Sequence, residues 1–151
     1  MIIFYNLVLI YKMTFNELKE KDYIASAKWE KILKNDIEKF FNIDLIETDR
    51  YHVFDYIDKD ENIYIELKTR TCKSNKYPDL MMGNNKIKCA DEYLKNNKKI
   101  YFVFYFTNGL YYIDYNENTE YTIRRSGRND RGVNEYKDFV YFPQKYLIKM
   151  S

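Results

Sequence analysis

The sequence predicts an α/β sandwich built around a mixed β-sheet. Three observations carry that prediction. Asp22 to Phe41 has the apolar spacing of a long amphipathic helix, and a second helical stretch follows from near Gly83 to Asn96. Between and after these stretches lie runs rich in Tyr, Ile, Val and Phe that alternate as strands do. The order is helix, three strands, helix, two strands and a tail, which interleaves the two element types.

Each element has a local reason. Thr14 and Glu17 form a capping box that opens a short helical turn to Lys21. In the helix that follows, Trp29, Leu33, Ile37, Phe40 and Phe41 fall on one arc, and Glu38 lies well off it as a solvated residue. Ile43 to Thr48, Tyr51 to Ile57 and Asn62 to Thr69 are the three strands, the last two joined by the polar turn Asp58 to Asn62. A polar loop from Arg70 to Tyr77 ends at Pro78, and Asp79 is placed to cap the second helix. That helix buries Ile87, Cys89, Ala90, Tyr93 and Leu94, while Lys88, Asp91, Glu92 and Lys95 face away. Ile100 to Thr107 is strongly β-prone, and Asn108-Gly109 turns it into Leu110 to Tyr115. Short strands at Tyr121 to Arg125 and Tyr136 to Phe142 flank a basic loop.

Composition narrows the class. The chain has 151 residues, enough for one domain with a real core. A net charge of +2 gives a mild overall field, so any nucleic-acid surface is a local patch. Tyrosine is abundant, at 17 residues, but together with Asn, Lys and Ile this is what an AT-rich coding sequence produces. It is not by itself an argument for base stacking. Cys72 and Cys89 lack zinc-site spacing and read as reduced thiols of an intracellular protein. Met1 to Ile10 is apolar but too short to span a bilayer, and it lacks the features of a signal peptide, so no membrane partner is expected. Residues 1–13 are either an extra strand or an upstream extension.

The chemistry concentrates in His52 to Arg70. Asp55 lies on one predicted strand, and Glu66 and Lys68 lie on the next, two apart and therefore on one face, with Ile63, Ile65 and Leu67 on the other. Two inward charges flank this ribbon. Glu30 falls inside the apolar arc of the first helix, and Lys86 falls in the middle of the buried side of the second. A carboxylate turned toward a core needs compensation, which a metal or an active-site cleft supplies. His52 points away from Asp55 and reads as a packed or surface residue, and Trp29 reads as core.

Glu30 on a helix, Asp55 on a strand, Glu66-Leu67-Lys68 on the next strand and Lys86 on a second helix together resemble the core of the PD-(D/E)XK nuclease superfamily. The resemblance spans about Asp22 to Tyr115, leaving 116–151 as a β-rich tail. Ala25 to Leu33 resembles the Glu-bearing first helix of archaeal Holliday junction resolvases. Phe54 departs from the pattern, standing where the superfamily often has Pro before its first acid.

The resemblance implies a restriction-endonuclease-like fold and a Mg²⁺-dependent endodeoxyribonuclease, with Mn²⁺ as a substitute ion. Asp55, Glu66 and the Leu67 carbonyl would hold the ion, and Glu30 would bind a second ion or a metal-bound water. Lys68 would position the attacking water or stabilise the transition state, and Lys86 would touch a phosphate oxygen. Hydrolysis of DNA leaving a 5′-phosphate is implied, with branched, repair or recombination intermediates among the substrates and a homodimer by analogy.

Several further residues are candidates for binding DNA. Ser74, Lys73 and Lys76 lie in the loop beyond Lys68, and Arg124, Arg125, Arg128 and Arg131 cluster near the C-terminal strands, diluted by Glu120, Asp130 and Glu135. The competing reading is a non-catalytic nucleic-acid-binding or structural interaction module on the same fold.

Overall fold

A computed structural model describes residues 15–127 and 136–150; within the first helix, the side chains of residues 15–16, 18–19, 22–23 and 25–30 lie outside the described set. Helix α1 runs unbroken over Phe15–Phe41, so the predicted N-terminal turn and the predicted helix are one element. No Gly or Pro interrupts that span. Asn42, at φ 53°, ends the helix in the left-handed conformation, and the Ile43 N–H reaches back to the Glu38 carbonyl at 3.1 Å.

The remaining elements are β1 (Leu45–Glu47), β2 (Tyr56–Asp58), β3 (Ile63–Thr69), β4 (Asp79–Gly83), α2 (Asn84–Lys95), β5 (Lys99–Phe106), β6 (Gly109–Tyr115), β7 (Thr122–Ser126), β8 (Lys137–Pro143) and β9 (Ile148–Lys149). The main sheet has the order β1-β2-β3-β5-β6-β9, and a second, three-stranded sheet has the order β4-β8-β7. β3 and β5 run parallel while the other neighbours are antiparallel, so the sheet is mixed as predicted. The parallel pair is joined through β4 and α2.

The main sheet is covered on both faces. Ile65, Leu67 and Val103 pack with Leu33 and Ile37 of α1. On the other face, Tyr64, Ile100, Phe102, Phe104 and Ile113 pack with Ile87 and Ala90 of α2 and with Leu80, Met82, Val140 and Phe142 of the second sheet. Central β5 is buried on both sides, which explains its nearly continuous apolar run.

Several sequence expectations change. Asp79 begins β4 instead of capping a helix, and its carboxylate pairs with Arg124 at 2.5 Å. β4 itself was hidden because its inward residues, Leu80 and Met82, alternate over only five positions. The predicted strand from Tyr51 shortens to three residues, since Thr48 and His52 bond the intervening backbone. Thr48 Oγ1 donates to the Phe54 and Asp55 carbonyls at 2.5 and 2.9 Å, and the Phe54 N–H donates to His52 Nδ1 at 3.0 Å. The hairpin loop is Thr107-Asn108, because Phe106 pairs with Gly109, whose φ of 129° starts β6. Finally, Glu38 and Asp91 are not solvated faces: Glu38 accepts the Leu45 N–H at 3.0 Å, and Asp91 accepts the Tyr115 hydroxyl at 2.6 Å. Phe40 leaves the predicted core arc and is 42% exposed. Among the described residues, no helix is long and apolar enough to cross a membrane.

Candidate active site

Strand β3 presents Glu66 opposite Phe102 and Lys68 opposite Phe104, on the face covered by α2 and the second sheet. The period of two that sends Ile65 and Leu67 beneath α1 sends Glu66 into the other layer, where it is 2% exposed. A carboxylate so buried requires partners, and it has two. Lys68 Nζ lies 2.7 Å from Oε1, and Lys86 Nζ lies 3.1 Å from Oε2. Lys86 reaches down from the first turn of α2 and also donates to the Val53 carbonyl, tying the helix to the segment before β2.

Asp55 joins from the neighbouring chain segment. Its N–H donates to the Ile65 carbonyl at 3.0 Å, and its Oδ2 accepts the Leu67 N–H at 2.7 Å. The carboxylate thus takes over a ladder position where regular pairing with β3 has stopped. The structure therefore brings Asp55 to the backbone between Glu66 and Lys68, and gathers Glu66, Lys68 and Lys86 into one ionic cluster. Glu30 belongs to α1, but its side chain lies outside the described residues. Phe54, at the departure from the superfamily pattern, is fully buried against Tyr64 and Tyr93.

One residue escaped the sequence reading. Arg70 continues the Glu66, Lys68 spacing of two, the signal that would have found it. Burial pulls its guanidinium below the usual value, with Cys72 and then Glu66 opposing the shift. Its head donates to the Thr69 and Met81 carbonyls at 3.2 and 3.4 Å.

The other DNA-binding candidates divide. Ser74 is turned inward: its hydroxyl accepts from Asn108 Nδ2 at 2.9 Å, and its carbonyl accepts from Gln144 Nε2 at 2.7 Å. Lys76, Arg124 and Arg125 line a cleft of about 730 Å³ that begins at Arg70. Arg128 and Arg131 lie outside the described residues. Cys72 and Cys89 are free and half-buried.

The donor set suits a small hard cation. Mg²⁺ takes one or two carboxylates and keeps several waters, so Asp55 and Glu66 with one backbone carbonyl would suffice. Among the described residues, no group of three or more His, Cys, Asp or Glu gathers. Glu66 already carries two ammonium partners, so its charge is balanced at this site by cations.

A helix over one sheet face, an Asp55 carboxylate beside β3, and a buried Glu66 beside Lys68 form the arrangement that the PD-(D/E)XK resemblance implies. The family model described as "Phage putative PDDEXK endonuclease" matches residues 17–149, and the chain belongs to that family. Its fold is restriction-endonuclease-like. It is similar to that of Hjc, a Holliday junction resolvase from Archaeoglobus fulgidus, an archaeal hyperthermophile, with a TM-score of 0.50 at 12% identity, covering 80% of this chain and 96% of the other. A search of the curated proteins by sequence matches nothing.

Proposed function

We propose that this member of an endonuclease family is a Mg²⁺-dependent endodeoxyribonuclease whose centre is Asp55, Glu66 and Lys68, with Mn²⁺ able to replace the native ion. The observation that carries the reading is the Glu66 carboxylate, buried to 2% exposure yet held between Lys68 and Lys86, beside the Asp55 carboxylate on the Leu67 amide. A core that needed only packing would not keep this many charges.

Each residue has a role that follows from its place. Asp55, Glu66 and the Leu67 carbonyl would hold the ion. When bound, the ion supplies a lowered water pKa and offsets charge developing on the scissile phosphate. Lys68, 30% exposed at its side chain, is the ammonium open to substrate, and it would orient the attacking water or stabilise the phosphorane-like charge. Lys86 is less exposed and tethered to Val53, which makes it a positioning residue for Glu66 in place of a phosphate contact. Glu30, from α1, would complete the centre by holding a second ion or a water. The product would carry a 5′-phosphate. Branched, repair or recombination DNA would be the substrate, and a homodimer would allow two strands to be cut.

A second reading has its own observation. Both Glu66 oxygens are occupied by lysines, which is how a sealed, non-catalytic DNA-binding module would look. Incubation with linear, supercoiled, single-stranded and branched DNA plus Mg²⁺ or Mn²⁺ separates the two. The nuclease reading expects nicking or cutting by the wild type, a loss of at least a hundredfold in Glu66→Gln, and retained DNA binding in that variant. A folded wild-type protein that binds DNA and cuts none of these substrates is instead the binding module.

A further inference from the structure

We propose that the cleft beside the carboxylate centre seats an unpaired nucleotide, which makes forked or otherwise partly single-stranded DNA the preferred substrate class. The proposal deepens the nuclease reading and rests on it for the identity of the polymer. The cleft is about 730 Å³, within the ~300–1,000 Å³ usual for ligand-binding clefts. Arg70, two residues past Lys68, is part of its lining.

Its lining combines two chemistries. Arg70, Lys76, Arg124 and Arg125 supply positive charge, and Asp79 is the only acid on the described lining. Asp79 is already committed to Arg124, which also stacks 3.7 Å above the Tyr141 ring. The second chemistry is apolar and accessible: Tyr77 is 56% exposed and Met81 36% exposed, with Tyr141 beside them. Lys76 Nζ sits 5.4 Å from the Tyr77 ring centroid, so cation and aromatic face occur together.

A phosphate track alone explains the charges but not the rings. Duplex DNA hides its base faces in the stack and would leave the Tyr77 ring exposed to water. An unpaired base offers a π-face to a tyrosine while its flanking phosphates meet the cations, the combination by which single-stranded nucleic acid is held. Arg124 is braced by Asp79 and Tyr141, and Arg125 donates to the Tyr136 carbonyl at 3.3 Å.

The test is metal-free binding of two oligonucleotides of equal sequence, a blunt duplex and a forked duplex with 2-aminopurine in the unpaired arm. Wild-type protein is expected to bind the fork tighter and to change the 2-aminopurine fluorescence by stacking. Tyr77→Ala, at an exposed position, should weaken fork binding about tenfold and leave duplex binding unchanged. Arg125→Ala should lower the salt slope on the fork by about 0.7. Equal affinity for fork and duplex, or an equal loss on both in Tyr77→Ala, would overturn the proposal. Fork preference in a protein that cuts nothing would leave the cleft assignment standing and remove the nuclease reading; cleavage without fork preference would do the reverse.

Discussion

Glu66 is the residue on which the rest turns. Alternation along Ile63 to Lys68 was enough to predict that Glu66 and Lys68 share a face, and the strand keeps them there. Composition could not reveal how deeply that face is covered, because β4, which helps cover it, gives so short an alternation. The inward placement of Lys86 was legible as a charge in the middle of an apolar side. Its partner in the Val53 carbonyl was not, since nothing in a sequence marks which backbone group loses its ladder bond. The pairing has a measurable consequence. Lys86→Met leaves Glu66 with one counter-charge in a buried place and should cost about 3 kcal/mol in urea unfolding, whereas the same change in a Glu66→Gln background should cost much less. Equal costs in the two backgrounds would mean that Lys86 acts through packing alone.

At the scale of elements, α2 is fixed at two points by polar contacts with other parts of the fold. Its first turn carries Lys86, and its middle carries Asp91, which accepts the Tyr115 hydroxyl from β6 at 2.6 Å. The helical wheel placed Asp91 outward because periodicity cannot register a long tyrosine reaching across from a neighbouring strand. Burial, and then the bond to Asp91, pushes the Tyr115 phenol well above its usual value. The unfolded phenol ionises near pH 10 and the folded one higher, so this contribution to stability is complete below about pH 10 and is lost as pH rises toward the folded value. Tyr115→Phe should therefore cost about 1.5–3 kcal/mol near neutral pH and should flatten the alkaline fall in stability. Thermal unfolding of both proteins from pH 7 to pH 11 checks the effect, and parallel curves would contradict it. The long helix and strong strands were readable because their periods run for many residues. The three-residue strands β1 and β2 and the two-residue β9 depend on partners far along the chain, so their boundaries were not.

For the whole molecule, the two candidate sites involve the face of the main sheet that is covered by α2 and the second sheet. The ionic cluster lies at β3, and the cationic cleft opens beyond it toward β4, β8 and β7. A net charge of +2 fits this arrangement, since the positive surface is local and the remaining charges pair off elsewhere, as Lys145 does with Glu120. The superfamily resemblance was legible because Glu30, Asp55, Glu66 and Lys68 follow one another in the order that the resemblance implies. The cleft was not, because it is assembled from a loop after β3 and strands some fifty residues later. The central claim is that Asp55 and Glu66 capture one divalent ion. Anomalous diffraction from a crystal soaked in Mn²⁺ tests it most directly. The account predicts a strong peak about 2.0–2.3 Å from an oxygen of each carboxylate, absent in Glu66→Gln. No peak between the two carboxylates at saturating Mn²⁺, with both of them ordered, would contradict it.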